Sequence, residues 1–458
     1  GFSSALTSQP TTITLNSANG PLVLSDSHSV TIDGAGTISV SGGGQVEVFN
    51  ITSGNVTMNN LAIINGFAAN GGGINNTNGG TLSLTNCLLD HDTTASPGDG
   101  GGIFNGAHDT LTLTNCTFSN DSAPGGGGSG GGGLWNIGGP VQLNGCTFYL
   151  DSGANGGGVK MNGGPPTSMT NCTFSGCSAT YNGGAIFAPR ATLSNCTVSG
   201  NSANIGGGIF VFHTPTTQIN LVNTIVAGNT ATSSGPDISG TIASADHNLI
   251  GNASGSSGLK NGVNGNIVGG NGHPVINPRL GPLQNNGGPT MTMALLAGSP
   301  AIAAADNSMA PATDQRGFTR IDETGETTDI GAFEVQSFDP PLPPKATQPL
   351  SPKLSLIPIA STAVGSASWQ GLSTVAAGPG ALHNSPTEFI ARSLVAPLSA
   401  TTGGHIPTVV SNRPGVALGS STMRRPMSAA SPSHAGLAER AADIDFCPRS
   451  AERLFGTK

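Results

Sequence analysis

One phrase recurs along the first part of this chain, most clearly at residues 100–123, which read GGGIFNGAHDTLTLTNCTFSNDSA. Glycines, a short apolar run, an alternating segment and an Asn-Cys-Thr-Phe step return at intervals of about 23 to 31 residues. Repeats in this range are typical of solenoids, in which each unit buries its apolar face only against its neighbours. The repeat therefore constrains the fold more than the length of 458 residues does.

Each period holds about three short segments that are rich in Thr, Gly and Asn and alternate apolar with polar side chains. Such alternation indicates strands, and the segments are too short for helices. Three short strands per turn, stacked in parallel at about 4.8 Å, make a right-handed parallel β-helix. We therefore predict an all-β solenoid over residues 1–270. The leucine framework and helical half of a leucine-rich repeat do not occur in the sequence.

Composition excludes several classes of function. The chain has 71 Gly, 9% charged residues and a formal net charge of −8. Residues 1–336 hold 6 Lys and Arg against 18 Asp and Glu, so the sequence lacks the cationic stripe that tracks phosphates and nucleic acid is not an expected partner. No apolar run approaches the roughly 18 residues that span a bilayer, so no transmembrane segment is predicted.

Two aligned positions describe a corner of each coil. The first predicts an asparagine ladder, because Asn tolerates the left-handed turn conformation and identical side chains can hydrogen-bond along the axis. Its members are Asn60, Asn86, Asn115, Asn171, Asn195 and Asn223, with Gly145 as the exception. The next position holds Leu61, Cys87, Cys116, Cys146, Cys172, Cys196 and Thr224. This mixture favours a small buried residue over stacked disulfides or a metal site.

The sequence changes character near residue 276. It contains the phrases GPLQNNGGPT, GSPAI, TDQRG and DIGAFE, the last ending at Glu334. These phrases resemble the closing segment of choice-of-anchor Q domain proteins, which are bacterial surface or secreted β-helix proteins. The repeats before them are similar to those of polymorphic outer-membrane proteins, and Ala303 stands where Asp is expected. The resemblance implies a pectin lyase-like fold, a C-terminal module at residues 271–336 and an extracellular or cell-surface location.

Charges that the repeats avoid are concentrated in this closing segment. They are Asp314, Arg316, Arg320, Asp329 and Glu334. The end of a solenoid must be covered, and charges there prevent edge-to-edge pairing. We interpret these residues as the salt bridges of a C-terminal cap.

The two ends of the chain carry less information. Residues 337–458 are rich in Pro, Ser and Ala, which predicts a disordered linker or stalk with one short helix at residues 435–446. The chain begins at Gly1 without a charged and apolar leader, so we expect a signal peptide to have been removed or to lie outside this sequence. The run at residues 123–134, APGGGGSGGGGL, predicts a flexible loop that protrudes from its coil. We expect a monomer.

The sharpest functional signal is one aligned position just after the GGGI phrase. Its occupants through successive coils are Asn75, Phe104, Trp135, Lys160, Phe187 and Phe210. Because strand side chains alternate, this position is interpreted as facing outward. Aromatic rings in an outward file can stack against sugar rings. The alternative is that the rings line the core and Lys160 reaches out to solvent at a bulge.

A second file is acidic. Asp92, Asp121 and Asp151 lie five residues after the aligned Cys, where later coils have Cys177, Asn201 and Asn229. Carboxylates about 4.8 Å apart repel each other or share a cation, so a calcium site is a weak candidate there. Asn at the same position indicates an ordinary polar turn. No other cofactor is expected.

These observations favour a non-catalytic scaffold or adhesin that binds polysaccharide or another cell surface. The aromatic file Phe104, Trp135, Lys160, Phe187 and Phe210 is its predicted ligand-binding surface. The alternative is a polysaccharide lyase or glycoside hydrolase, which would use Asp92, Asp121, Asp151 and Arg190. A purely structural spacer is the third reading, favoured if the aromatic file is buried.

Overall fold

In a computed structural model of the chain, residues 7–77, 80–126, 128–320 and 327–336 are described. The predicted tail at residues 337–458 and its short helix lie outside these residues. The described part holds 37 β-strands, and the parallel strands form a β-solenoid of about 9 turns. The predicted all-β solenoid is therefore confirmed.

Three parallel sheets form the walls of the solenoid. The first sheet, which turns a corner within each coil, contains Thr11–Thr14, Val30–Ser41, Asn55–Ile64, Thr81–Thr85, Leu88–Asp90, Thr110–Thr114, Thr117–Ser119, Val141–Asn144, Thr147–Tyr149, Thr167–Thr170, Thr173–Ser175, Arg190–Ser194, Thr197–Ser199, Gln218–Val222, Ile225–Val226, Ser244–Asp246, Leu249–Ile250 and Ile267–Val268. The second contains Leu22–Leu24, Phe49–Ile51, Ile74–Asn76, Ile103–Asn105, Leu134–Asn136, Val159–Met161, Ile186–Ala188, Ile209–Val211, Ile238–Thr241 and Ser256–Ser257. The third contains Phe67–Asn70, Thr93–Asp99, Ser122–Ala123, Ser152–Asn155, Ser178–Asn182, Ser202–Ile205 and Thr230–Ser234.

Successive coils stack in register, so that equivalent residues of the repeat become neighbours along the axis. Leu82 pairs with Leu111 and Leu84 with Leu113, for example. The interior is filled by aliphatic rows and by a stack of phenylalanines, in which the ring centroids of Phe118 and Phe148 are 4.6 Å apart. Because each coil buries its apolar face on the next, the repeat itself builds the core.

Each coil turns at residues in the left-handed conformation. At the predicted asparagine corner φ lies between 46° and 54° for all six Asn, and it is 67° for Gly145. The axial ladder is shorter than expected: Asn86 donates to Asn60 at 3.2 Å, and Asn60 donates to Asp33 at 3.2 Å. Two later members of the corner, Asn171 and Asn223, bind the C-terminal segment instead.

The cysteine position is buried, as predicted, and its thiols are free. In several coils this position donates to a carbonyl of the coil before it. Cys116 Sγ contacts the Leu84 carbonyl at 3.5 Å. Thr224 Oγ1 and Asn248 Nδ2 make the equivalent bond at 3.2 and 2.9 Å. The predicted role in packing is thus combined with a weak hydrogen bond.

Residues 276–320 and 327–336 pack along the side of the solenoid, and we call them the lateral strap. The strap contains an antiparallel pair of strands, Leu280–Gln284 and Thr292–Leu295. The outward side chains Ile225, Leu249 and Ile267 pack with its apolar residues in a second small core. The sequence predicted a cap over the end of the solenoid, whereas the contacts of the strap lie along coils between residues 145 and 267.

The charged phrases of the strap join it to the solenoid. Arg316 pairs with Asp314 at 2.8 Å and Arg320 pairs with Glu334 at 3.0 Å, both deeply buried. Arg320 also donates to the Asn171 side chain at 2.9 Å. The predicted salt bridges are present within the strap, and the hydrogen bond of Arg320 joins the strap to the asparagine corner of a distant coil.

Candidate functional site

The predicted aromatic file is continuous in space. Parallel pairing places Phe104 beside Trp135, Trp135 beside Lys160, Lys160 beside Phe187, and Phe187 beside Phe210. The residues next to the file on each strand point inward. Ile103, for example, precedes Phe104, belongs to the main core and is fully buried. Because side chains alternate along a strand, the file lies on the outer side of the second sheet.

Lys160 lies at the centre of the file and is held by its neighbours. Its Nζ is 4.3 Å from the centre of the Trp135 ring, in a cation–π contact. It also donates to the carbonyl of Gly128, and the side chain is only 3% exposed. Burial lowers the pKa of Lys160 to about 8, with Asp99 acting in the opposite direction.

The glycine-rich run packs against this centre, in contrast to the predicted free loop. The carbonyl of Ser129 accepts a hydrogen bond from Asn155 Nδ2 at 3.1 Å, and the Gly130 N–H donates to Asp99 at 3.0 Å. Burial raises the pKa of Asp99 to about 6. At Gly130 a β-carbon would lie 1.9 Å from the Asn155 carbonyl oxygen, so the close packing of this backbone requires glycine there. The chain's own loop therefore contacts the file at Lys160.

Ring contacts extend on both sides of Lys160. Phe104 meets Trp135 edge to face, with centroids 5.6 Å apart. Phe187 stacks on Phe210 and also on Phe212, each at 5.3 Å. Phe212, which the sequence alignment did not single out, is 42% exposed. The outer face of the second sheet thus presents a line of packed rings with partly exposed edges at Trp135, Phe210 and Phe212.

A shallow cleft adjoins the Phe104 end of this line. Phe104, His108 and Ile137 are among the residues that line it. Ile137 is exposed, whereas Phe104 is 9% exposed. The cleft offers an apolar wall beside polar loop atoms, a combination that suits an amphipathic ring.

The acidic file has a different environment from the one expected at a turn. Asp92, Asp121 and Asp151 point into the interior and are fully buried. The backbone N–H of Asp92 donates to Asp121 Oδ1 at 2.8 Å, and that of Asp121 donates to Asp151 Oδ1 at 3.0 Å. Burial raises the pKa of each carboxyl well above its usual value. Calcium binding at this file stays a prediction.

Arg190 does not join these carboxyls. It begins a strand of the first sheet, is half-buried, and donates to the Gly164 carbonyl at 3.0 Å. The three carboxyls lie inside the solenoid and are fully buried. The residues of the alternative enzyme reading are therefore not brought to one groove.

Two polar groups escaped the sequence analysis. The first is an interior ladder in which Asn76 donates to Asn105 at 2.7 Å and Asn105 donates to Asn136 at 2.8 Å. The alignment of INN, IFN and LWN could have found it. The second is Asp246, His247 and Asp306, whose potential ligand atoms lie within 4.8 Å of one another. Asp306 comes from the strap, so no repeat pattern indicates this cluster.

Comparison with protein families, curated proteins and solved structures found no match. The described residues include no helix with the length and hydrophobicity to cross a membrane.

Proposed function

We propose that this protein is a non-catalytic surface or secreted scaffold that binds polysaccharide along the outer face of its second sheet. The observation that carries the proposal is the in-register line Phe104, Trp135, Lys160, Phe187 and Phe210. Its rings follow the solenoid axis at the coil spacing of about 4.8 Å, which suits an extended ligand. Partly exposed ring edges can contact the C–H faces of sugars.

Two further observations support this proposal. The closing phrases of the chain resemble those of choice-of-anchor Q domain proteins, which are displayed or secreted. The carboxyls proposed for a hydrolase or lyase lie in the core, and Arg190 donates to the Gly164 carbonyl. Since Lys160 is already engaged by Trp135 and the Gly128 carbonyl, we favour neutral polysaccharides over acidic ones.

The test is affinity-gel retardation on a panel of neutral and acidic polysaccharides. The double variant Trp135→Ala, Phe210→Ala removes two partly exposed rings and leaves the nearly buried Phe104 and Phe187 in place. Loss of ring stacking at two positions is expected to weaken retention by about fivefold to a hundredfold, since aromatic contacts contribute roughly 0.5–1.5 kcal/mol each.

Tyr181→Ala is the matched control, because Tyr181 is 41% exposed and lies on the third sheet. Circular dichroism verifies that each variant is folded. The proposal would be overturned if the control lost as much retention as the double variant. It would also be overturned if no polymer retained the parent.

A further inference from the structure

The buried acidic file has one satisfied and one unsatisfied oxygen per residue. Oδ1 of Asp92 accepts the Gly66 N–H at 2.6 Å, and Oδ1 of Asp121 and Asp151 accept the equivalent N–H of the coil before. Oδ2 of all three residues is buried and accepts no hydrogen bond from any described residue. A buried polar atom without a partner is costly, so these three atoms need an explanation.

Later coils show what the second atom does at this position. Asn201 Oδ1 accepts the Cys177 N–H at 2.9 Å, and its Nδ2 donates to the Phe174 carbonyl at 3.1 Å. Asn229 likewise donates from Nδ2 to the Val198 carbonyl at 3.0 Å. One atom of the side chain thus accepts and the other donates, and the acceptor of the second bond is a carbonyl of the preceding coil.

The Asp oxygens occupy the same place as the Asn nitrogens. A β-carbon added at Gly208 would lie 2.8 Å from Asn229 Nδ2. The equivalent glycines of earlier coils are Gly73 and Gly102. A β-carbon at Gly73 would lie 2.5 Å from Asp92 Oδ2, and one at Gly102 would lie 2.9 Å from Asp121 Oδ2. The position therefore calls for a donor, which a carboxyl supplies only when it carries a proton.

We infer that Asp92, Asp121 and Asp151 are neutral carboxylic acids in the folded protein, each donating its Oδ2 proton to a main-chain carbonyl of the preceding coil. By the repeat, these carbonyls belong to Ile63, Leu89 and Phe118, which are paired in register. The file is then a continuation of the Asn201 and Asn229 arrangement, with O–H in place of N–H.

The surroundings of the file favour the neutral form. The ionisable groups of the described chain that act on it are Asp90, the Cys177 thiol and the members of the file themselves. None of these groups is a cation. Burial and mutual repulsion both raise the pKa of Asp121, and no positive charge opposes them.

The consequence is a fold that is stabilised by acid. Each of the three carboxyls has a higher pKa folded than unfolded, so the folded state binds protons that the unfolded chain releases. The contribution of each group is complete below about pH 4 and is lost as pH rises toward its folded pKa. Over that window, each group lowers the folding equilibrium constant about tenfold per pH unit.

The experiment measures urea unfolding from pH 4 to pH 8 for the parent, Asp121→Asn, and the triple variant Asp92→Asn, Asp121→Asn, Asp151→Asn. The Asn side chain donates an N–H at every pH. We therefore expect the triple variant to be more stable than the parent at pH 7, and we expect its stability to depend less on pH. Asp246→Asn, outside the file, is the control and should keep the parent's pH dependence.

Infrared difference spectra of the folded protein provide a second measurement. We expect a protonated carboxylic C=O band at pH 7 that loses intensity in the triple variant, while the part of the band that comes from Glu334, whose pKa is raised by burial to about 8, stays. Absence of that band in the parent, or an undiminished pH dependence in the triple variant, would overturn the inference. So would a calcium-dependent rise in the parent's stability at pH 7 that the triple variant lacks, because it would show ionised carboxylates around a metal.

Discussion

At the residue scale, each coil is closed by positions that only certain side chains can occupy. The corner at Gly145 is the clearest example, because its φ of 67° matches the six Asn corners. A β-carbon there would lie 2.3 Å from Asn115 Oδ1. The Gly145 carbonyl also accepts a hydrogen bond from Thr290 of the strap at 2.7 Å. The contact with Asn115 thus explains why this corner has Gly where the other coils have Asn.

Replacing Gly145 by Asn tests this explanation. Although it restores the consensus residue, the new side chain meets Asn115, and we expect the free energy of unfolding to fall by about 1–3 kcal/mol. Urea denaturation measures the change. Adding Asn115→Gly should recover part of the loss, whereas equal stability of the single and double variants would show that the steric explanation is wrong.

The Asn corner and the acidic file differ in how well the sequence predicts their conformation. The left-handed Asn corner follows from local conformational preference, and it was predicted for every Asn that occupies it. The direction of Asp121 was not predictable from such preference. A polar residue at a turn is normally exposed, and only the stacking of neighbouring coils turns this side chain inward.

At the element scale, the lateral strap is held by one concentrated network. Gln315 Nε2 donates to Thr147 at 2.9 Å, and Thr173 donates to Gln315 Oε1 at 2.6 Å. Burial raises the pKa of Glu334 to about 8, while its ion pair with Arg320 acts in the opposite direction. The Gln315 contacts join residues more than 140 positions apart, so no periodicity in the sequence could indicate them. Only the presence of buried charge pairing could be predicted.

The Arg320–Glu334 pair offers a quantitative test of the strap. Arg320→Met alone leaves Glu334 buried without its partner, and we expect it to lower the free energy of unfolding by about 3–5 kcal/mol. The double variant Arg320→Met, Glu334→Leu removes both charges and should recover much of that loss. Thermal unfolding of parent, single and double variants completes the cycle. Additive losses would mean that the two side chains do not interact.

At the scale of the whole molecule, the solenoid separates buried polar side chains from those on its outer walls. The neutral, hydrogen-bonded Asp and Asn files lie inside, and the outer walls carry short polar side chains interrupted by one aromatic line. Stacking in register made this line predictable from the repeat alone. The contact of Lys160 with the glycine-rich run was not predictable, because a Gly-rich segment has no preferred partner in sequence.

Trp135 allows the central claim, that this aromatic line binds polysaccharide, to be measured directly. The chain has only 2 Trp, so Trp369→Phe leaves Trp135 as the sole indole. Titrating this variant with a soluble form of the polysaccharide that retards the parent should shift Trp135 emission in a saturable manner. The added change Phe210→Ala should weaken the apparent affinity. Retardation by the polymer without any response of Trp135 emission would contradict the account.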